Sequence, residues 1–394
     1  MDAAEPRRET PSSPEEAGEV MRTAGEEGRR VRVRGGGTKL AWGCPLRSGH
    51  AGRSTAGTEI DLSTERLDSV EHNKEDLTAV LQAGVRLARA QEIFADANQM
   101  VALDPPLGQG DAATIGGVVA TADSGPLRHQ YGAARDLILG ITIALSDGTI
   151  AKAGGKVIKN VAGYDLAKLF TGSFGTLGLV IEVVMRLHPL ARDRVTALGD
   201  SDDAEALGRA ASVVAHSPFG AESLDVAWHD GQGEVMARFG GAAPDDVVEQ
   251  VVKLLEEAGL QADSRADDDP LWERQRTGQR SADGAVVRVS GLASELPAVL
   301  RAAHDAGGSL VGRAGLGVSW VTLPGGDASS LVSSIEDLRR RLDPFACVVL
   351  DAPPQVREKV DVWGKAQAVP LMRRVKARFD PHNVCNPGLF VGGI

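Results

Sequence analysis

The stretch Gly108-Gln109-Gly110-Asp111-Ala112-Ala113-Thr114-Ile115-Gly116-Gly117 decides the fold of this chain. It opens a segment, residues 108–178, that holds fourteen of the chain's 47 glycines. Glycine loses more backbone entropy on ordering than any other residue, so the segment needs a compensating interaction. Since glycines let a backbone approach a ligand and turn its N–H groups inward, the segment predicts a site for a large, flat or phosphate-bearing cofactor.

Two further glycine loops follow the same pattern. Arg34-Gly35-Gly36-Gly37-Thr38-Lys39 comes directly after a short alternating strand, and Thr171-Gly172-Ser173-Phe174-Gly175-Thr176-Leu177-Gly178 precedes another. Three glycines after a strand fit a plain loop as well as they fit a phosphate-binding nest of amides. The spacings G-x-G-x-x-G, G-x-x-x-x-G-K-[ST], H-E-x-x-H and G-x-S-x-G are all absent from the sequence. Rossmann, P-loop, zinc-hydrolase and nucleophile-elbow interpretations are therefore disfavoured.

Composition narrows the class of protein further. A length of 394 residues predicts two domains. The net charge of −11 supplies no positive field for nucleic acid or an anionic membrane surface, so nucleic acid is excluded as a partner. Cys44, Cys347 and Cys385 lie far apart without a C-x-x-C pair, which predicts no zinc or iron–sulfur site. With no apolar targeting or membrane-spanning run, a cytoplasmic protein is expected.

The order of elements predicts an α+β chain with two domains. Residues 1–12 are polar and predict a disordered tail, after which Ser13 and Glu16 form a capping box that begins a helix ending before Gly28. A turn is expected near residues 61–63. The first domain is predicted over residues 13–190, a smaller mixed α/β cap or substrate domain over 191–345, and a C-terminal segment over 346–394 that packs back on the first domain.

Taken together, the three glycine loops resemble one family. With Trp42-Gly43, Ala120-Thr121 and Ser124-Gly125, they are similar to the vanillyl-alcohol-oxidase-type, or PCMH-type, FAD-binding fold. Lys156-Val157-Ile158-Lys159-Asn160-Val161-Ala162-Gly163-Tyr164-Asp165 and the ending Phe390-Val391-Gly392-Gly393-Ile394 resemble the FAD-binding subunit of bacterial glycolate oxidase (glycolate dehydrogenase). The likeness spans most of the chain and is weakest over residues 192–343.

The resemblance implies a two-lobed domain in which the first loop holds the FAD pyrophosphate, the second runs past the pyrophosphate and the flavin ring, and the third closes the pocket. Thr38 occupies the position at which many relatives carry a flavin-linked histidine, so FAD is expected to bind non-covalently. The implied cofactor-binding residues are Arg34, Gly35, Gly36, Gly37, Thr38, Pro105, Gly110, Thr114, Ile115, Gly116, Gly117, Ala120, Thr121, Gly125, Gly175 and Val180.

The same resemblance implies partners and a reaction. Such a subunit works with a larger flavin subunit and an iron–sulfur subunit, oxidises the small 2-hydroxy acid glycolate to glyoxylate, and meets the membrane only through those partners. Two alternatives are an autonomous FAD-dependent 2-hydroxy-acid dehydrogenase and a non-catalytic structural subunit.

Catalytic groups are harder to assign from the sequence. Oxidation of a 2-hydroxy acid needs a cation for the carboxylate and a base for the hydroxyl proton. Arg313 is the candidate for the carboxylate, although an ion-paired or solvated arginine at a strand end is the commoner role. His129 and Tyr164 are candidates for a base or a ring contact, against the commoner role of satisfied structural hydrogen bonding. The catalytic residues are otherwise unknown from the sequence.

Overall fold

A computed structural model describes residues 7–45, 59–155, 165–191, 193–266 and 268–394 of the chain. Most of the Lys156–Asp165 motif, including Tyr164, lies outside the described residues, so the expectations that fall there are not addressed. Within the described ranges, no helix is long and apolar enough to cross a bilayer.

The first lobe is a small parallel sheet covered by one helix. Its strands lie in the order β1-β3-β2, and α1 packs on them through an apolar stripe that includes Ala17 and Met21. Ser13 caps the helix by accepting a hydrogen bond from the Glu16 amide at 3.1 Å, and Gly28 ends it at φ +63°. The elements are β1 (Arg7–Glu9), α1 (Pro14–Glu27), β2 (Arg30–Arg34) and β3 (Glu59–Ser63).

Two local expectations are wrong in this lobe. Arg7–Glu9 does not belong to a disordered tail, because it forms β1 and pairs in parallel with β3. The predicted turn near residues 61–63 is the end of β3, whose Ile60 and Leu62 are buried. Both segments are short and polar in sequence, and only the pairing between distant strands makes them regular.

The second lobe is an antiparallel sheet in the order β4-β5-β9-β7-β8, with helices on one side. The chain enters it after β3 and leaves it through a two-stranded pair, β6 with β10. Its elements are β4 (Val70–Asn73), β5 (Thr78–Gln82), α2 (Leu87–Ala95), β6 (Gln99–Met100), α3 (Ile115–Thr121), α4 (Arg128–Tyr131), α5 (Ala134–Leu137), β7 (Ile138–Ala144), β8 (Ile150–Gly154), α6 (Leu166–Phe170), β9 (Leu179–Arg186) and β10 (His188–Pro189).

The second domain is built on an eight-stranded antiparallel sheet in the order β14-β11-β13-β12-β16-β17-β15-β18. Helices α7, α8, α10 and α11 cover one face, and the other face is turned toward the first domain. The elements are β11 (Arg194–Ser201), α7 (Ala204–Ala215), β12 (Ser223–His229), β13 (Gln232–Gly240), α8 (Pro244–Glu257), β14 (Gln261–Arg265), α9 (Asp269–Thr277), β15 (Ala285–Ser290), α10 (Leu296–Asp305), β16 (Ser309–Arg313), β17 (Val318–Leu323), α11 (Ala328–Arg341) and β18 (Ala346–Asp351).

The boundary predicted at residue 345 falls too early. β18 begins at Ala346 and pairs with β15, so it belongs to the sheet of the second domain. After it come α12 (Pro354–Arg357) and α13 (Val369–Phe379). A short apolar strand at a sheet edge carries no sequence signal that tells which sheet it joins.

The end of the chain packs back on the first lobe. The Val31 amide donates to the Val384 carbonyl at 2.8 Å, and the Asn386 amide donates to the Val31 carbonyl at 3.0 Å. Lys376 is buried beneath this segment, where its Nζ donates to the carbonyls of Thr176 and Cys385 at 2.8 Å each. The end of the chain from Lys376 onward is therefore part of the first domain's structure, whereas β18 belongs to the second.

Candidate functional site

A cavity of about 960 Å³, its open mouth included, lies where the three glycine loops meet. The walls come from the loop after β2, from α3, from the loop before β9 and from the C-terminal segment. They comprise Arg32, Val33, Gly35, Gly36, Gly37, Thr38, Lys39, Leu40, Trp42, Thr64, Ala83, Thr114, Gly116, Gly117, Ala120, Thr121, Phe174, Gly175, Gly178, Val180, Asn386 and Leu389.

The first glycine loop presents free backbone donors to this cavity. The amides of Gly36, Gly37, Thr38 and Lys39 donate no hydrogen bond to any residue that the structure describes. Gly37 lies at φ +77°, a conformation that side chains rarely adopt. Several unpaired amides in a row form a concave anion-binding nest, which suits the charge and shape of a pyrophosphate.

Glycine is required in this loop because the loop touches backbone on its far side. A Cβ on Gly36 would lie 1.5 Å from the Ala112 carbonyl oxygen, and one on Gly35 would lie 2.2 Å from Thr114 Oγ1. The first loop therefore packs directly on the stretch that precedes α3. This contact brings two glycine runs, eighty residues apart in sequence, into one wall.

Helix α3 contributes an open surface rather than a set of donors. The amides of Ile115 and Gly116 donate to the carbonyls of Val85 and Ala83 at 2.9 Å each, and the Gly117 amide donates to Thr114 Oγ1 at 3.3 Å. These bonds consume the first amides of the helix. What remains for a ligand is the bare face formed by Gly117, Ala120 and Thr121, along which a flat group can approach closely.

The C-terminal segment closes the remaining side through Asn386. Its Nδ2 donates to the Phe174 carbonyl at 2.8 Å, and its Oδ1 accepts from the Val33 amide at 3.3 Å. One side chain thus joins β2 to the third glycine loop across the cavity. Leu389 lines the cavity beside it. No sequence pattern singled out these two residues.

Most of the residues that the sequence proposed for FAD lie in the cavity wall. They are Gly35, Gly36, Gly37, Thr38, Thr114, Gly116, Gly117, Ala120, Thr121, Gly175 and Val180. The structure places the other proposed residues, Arg34, Pro105, Gly110, Ile115 and Gly125, outside it.

Three of those exceptions have structural roles. The Arg34 side chain forms an ion pair with Asp61 at 3.0 Å on the neighbouring strand. Ile115 is fully buried in the core of the second lobe. A Cβ on Gly125 would lie 1.9 Å from the Asp104 carbonyl oxygen, so this glycine permits two loops to pack.

The other two exceptions, Pro105 and Gly110, lie on the far side of the loop that precedes α3. Pro105 lines a separate cleft of about 1,010 Å³ between the two domains, together with Asp104, Arg276 and Arg280. Gly110 is exposed, and a Cβ there would meet no atom within 4 Å. The sequence could not separate these glycines and prolines from those that face the cavity, since backbone direction decides the difference.

Lys39 and Trp42 lie in the quoted motifs but were not proposed as cofactor contacts. Lys39 forms a buried ion pair with Asp123 at 3.1 Å, which ties the first loop to the end of α3. Trp42 Nε1 donates to Asp351 Oδ1 at 2.9 Å, and the Arg280 guanidinium bonds both Asp351, at 2.7 Å, and the Thr38 carbonyl, at 3.1 Å. The wall of the cavity is thereby fixed to the second domain.

Arg313 is not free to bind a substrate carboxylate. Its guanidinium donates to Asp225 at 2.6 Å, both side chains are fully buried, and the group lies 4.8 Å from the centre of the Trp320 ring. In the orientation that satisfies its amide, Gln279 donates to the Ser124 carbonyl at 3.0 Å and accepts from Arg313. Arg313 therefore links the second-domain sheet to the loop after α3.

A fully buried carboxyl, Asp225, a partly buried one, Asp104, and one histidine complete this polar cluster. Burial raises the pKa of Asp104 to about 7, with the Arg313 charge opposing the shift, and burial likewise raises the pKa of Asp225. His129 Nδ1 is buried without a hydrogen-bond partner among the described residues, and burial lowers the pKa of its ring. None of these three side chains lines the glycine cavity, so none is placed to act as a base within it.

Comparison with known proteins identifies the first domain. Residues 9–154 match the profile of the family described as "FAD binding domain". Residues 9–154 form an FAD-binding domain. The unpaired amides of the first loop and the bare face of α3, both within this range, fit the pyrophosphate and the flat ring of FAD.

The chain is also similar in sequence to several proteins named as oxidoreductases or their subunits. The chain is 36% identical to a D-lactate dehydrogenase of Archaeoglobus fulgidus over 185 residues, 46% of this chain. It is 37% identical over 141 residues, 36% of the chain, to the glycolate oxidase subunit GlcE of Escherichia coli, and 33% identical over 204 residues, 51% of the chain, to the subunit GlcD of Bacillus subtilis. The matches span only 39%, 40% and 41% of these relatives' own lengths.

Solved structures show that the fold of this family extends beyond the FAD-binding domain. An alkyldihydroxyacetonephosphate synthase superposes with a TM-score of 0.69 at 17% identity, covering 96% of this chain and 75% of the other. A chitooligosaccharide oxidase superposes with a TM-score of 0.65 at 15% identity, covering 97% and 91%. The chain therefore has the α+β fold of PCMH-type FAD-binding proteins over nearly its whole length.

Proposed function

We propose that this chain is the FAD-binding subunit of a complex that oxidises glycolate to glyoxylate. The observation that carries the proposal is the cavity formed by three glycine loops, because unpaired amides and a bare helix face meet in it. The relatives named glycolate oxidase subunits support the choice of substrate. A larger flavin subunit and an iron–sulfur subunit are the proposed partners, and any membrane contact is made through them.

In this proposal the residues of the chain divide the work of holding FAD. The amides of Gly36, Gly37, Thr38 and Lys39 hydrogen-bond the pyrophosphate, and the Thr38 hydroxyl adds a further donor. The glycine face of α3, with Phe174 beside it in the cavity wall, accepts the flat ring and excludes water from it. When bound, FAD supplies the two-electron acceptor for the oxidation.

The cofactor is proposed to bind non-covalently. The described residues that line the cavity include neither a histidine nor a cysteine to which a flavin is commonly linked, and Thr38 stands in the first loop. Acid precipitation tests this directly. All of the flavin should appear in the supernatant, whereas yellow precipitated protein would contradict the proposal.

A second candidate is an autonomous FAD-dependent 2-hydroxy-acid dehydrogenase. The inter-domain cleft beside Pro105 favours it, because the cleft holds two arginines, Arg276 and Arg280, that can attract a carboxylate. Each arginine already has an acidic partner: Arg276 lies 2.9 Å from Glu273, and Arg280 lies 2.7 Å from Asp351. These pairings favour the subunit over the autonomous enzyme.

The visible spectrum of the purified protein distinguishes the candidates. The subunit proposal expects yellow protein that stays oxidised when glycolate is added without oxygen, and that bleaches once the partner subunits are present. Rapid bleaching by glycolate alone would favour the autonomous dehydrogenase. Colourless protein that takes up no added FAD would contradict both and leave a structural subunit.

A further inference from the structure

Arg288 lies on the face of the eight-stranded sheet that is turned toward the FAD-binding domain. It is in the middle of β15, directly opposite Trp320 on β17 and Val348 on β18. Side chains of directly opposed residues point to the same face of a sheet. Trp320 and Val348 pack with Trp42, which lines the glycine cavity, so Arg288 lies on the face that borders that cavity.

This arginine has no partner among the described residues. It makes no hydrogen bond or ion pair with any residue in the described part of the chain, and its Nε atom is sealed from solvent. Two other arginines of this region each have an acidic partner: Arg313 pairs with Asp225 at 2.6 Å, although its Nε is also without an acceptor among the described residues, and Arg280 pairs with Asp351 at 2.7 Å. Arg288 therefore differs from these arginines because it lacks an acidic partner among the described residues.

The charges around Arg288 do not replace a partner. Asp123 is the acid that acts on it, but the Asp123 carboxylate is already paired with Lys39 at 3.1 Å, and Arg128 adds a like charge nearby. Burial lowers the pKa of Arg288, as expected for a cation removed from water without compensation. Arg288 is partly buried, and a guanidinium whose Nε is sealed from solvent without an acceptor destabilises a fold unless something outside the chain supplies the acceptor.

We propose that Arg288 binds a planar oxyanion at the junction between the glycine cavity and the second-domain sheet. The proposal rests on the proposed function for the identity of that anion. It is either the carboxylate of a small 2-hydroxy acid or the N1–C2 carbonyl edge of the flavin, which becomes anionic when the flavin is reduced. Both present two acceptor atoms in a plane, the arrangement that the guanidinium fork matches.

Oxalate titration tests the first source. Oxalate resembles glycolate in size and presents the same planar carboxylate, with a second carboxylate in place of the hydroxymethyl group, so it has no C–H bond to give up as hydride. Its binding to the holoprotein is followed by the visible difference spectrum. Loss of a hydrogen-bonded charge should weaken oxalate binding by about 10- to 100-fold in Arg288→Met. Arg288→Lys should fall between, because lysine keeps the charge without the fork. Arg301→Met is the matched control and should bind as wild type, because Arg301 is an exposed arginine of α10 that pairs with Glu205 of α7.

The flavin midpoint potential tests the second source. If Arg288 pairs with the flavin edge, oxalate binds Arg288→Met as tightly as wild type, but the variant stabilises reduced flavin less. Its flavin midpoint potential should then be lower, by about 30 mV for each tenfold loss in preference for the reduced over the oxidised flavin. Wild-type oxalate binding together with a wild-type potential in both Arg288 variants would overturn the proposal.

Thermal unfolding of the FAD-free protein separates anion binding from a structural role. Removing an unpaired cation should leave the unfolding temperature of Arg288→Met unchanged or higher. A lower unfolding temperature in Arg288→Met, together with wild-type oxalate binding in Arg288→Lys, would mark a structural residue and overturn the proposal. Titration calorimetry of oxalate with FAD-free protein separates the proposed anion site from the proposed FAD-binding function. Arg288-dependent binding to protein that takes up no FAD would keep the anion site and remove the cofactor assignment.

Discussion

Gly117→Ala is expected to change the stability of the FAD-free protein and its affinity for FAD in opposite directions. Gly117 lies in the first turn of α3 and lines the cavity. A Cβ there would meet only Thr114 Oγ1, at 3.3 Å, so the folded chain accommodates the methyl group with a small adjustment. Alanine in place of glycine within a helix stabilises it by about 0.5–1 kcal/mol.

The same methyl group occupies the face along which FAD is proposed to lie. An additional methylene in a filled site destabilises it by about 1–3 kcal/mol, which corresponds to a dissociation constant about 5- to 150-fold higher. The FAD-free variant should meanwhile unfold about 1–3 °C above wild type. Fluorescence quenching of FAD by the apoprotein gives the affinity, and differential scanning calorimetry of the apoprotein gives the unfolding temperature.

Two neighbouring glycines provide matched controls for Gly117→Ala. Gly116 also lines the cavity, but its Cβ would lie 2.7 Å from Ala83 Cβ, so Gly116→Ala should lower the stability of the apoprotein. Gly110 is exposed, outside the cavity and at φ +63°, so Gly110→Ala should cost some stability through backbone strain but leave FAD affinity unchanged. Wild-type FAD affinity in Gly117→Ala would refute the placement of the cofactor against α3.

Three further predictions concern the contacts between domains and around the cavity. The Asp104 pKa is about 7 in the folded protein against 3.8 for the free side chain, so its contribution to stability is complete below about pH 4 and is lost as the pH rises through 7. The shift is worth at most about 4 kcal/mol, reduced by the 16% exposure of the side chain, and Asp104→Asn should flatten the unfolding free energy between these pH values in denaturant titrations. Trp42→Phe removes the hydrogen bond to Asp351 and should lower the free energy of unfolding by about 2 kcal/mol, measured in urea; no change would mean that the indole N–H does not help to join the domains. Asn386→Ala removes both hydrogen bonds across the cavity and should speed FAD release, measured by stopped-flow fluorescence, while an unchanged rate would show that the C-terminal segment does not retain the cofactor.

Much of the fold could be read from local patterns. The helix begun by Ser13 and ended by Gly28 follows from capping, and Thr78–Gln82 is a strand as its β-branched and apolar residues predict. By contrast, β1 and β3 are regular only because they pair with each other, and β18 could be assigned to the second domain only once its partner β15 was known. Local propensity is weak in strands, since pairing supplies most of their stability.

The sequence by itself determined that a flat or phosphate-bearing cofactor approaches glycine-rich backbone, because glycine spacing records where a Cβ would be excluded. It did not distinguish Gly117, where a Cβ would meet only Thr114 Oγ1 at 3.3 Å, from Gly116 beside it, where a Cβ would lie 2.7 Å from Ala83. Only the tertiary structure decided which arginine is free. Arg313 and Arg288 look alike in sequence, but Asp225 is aligned opposite the first, and the second has no acceptor among the described residues. That difference arises from strand register between distant segments, which no local pattern encodes.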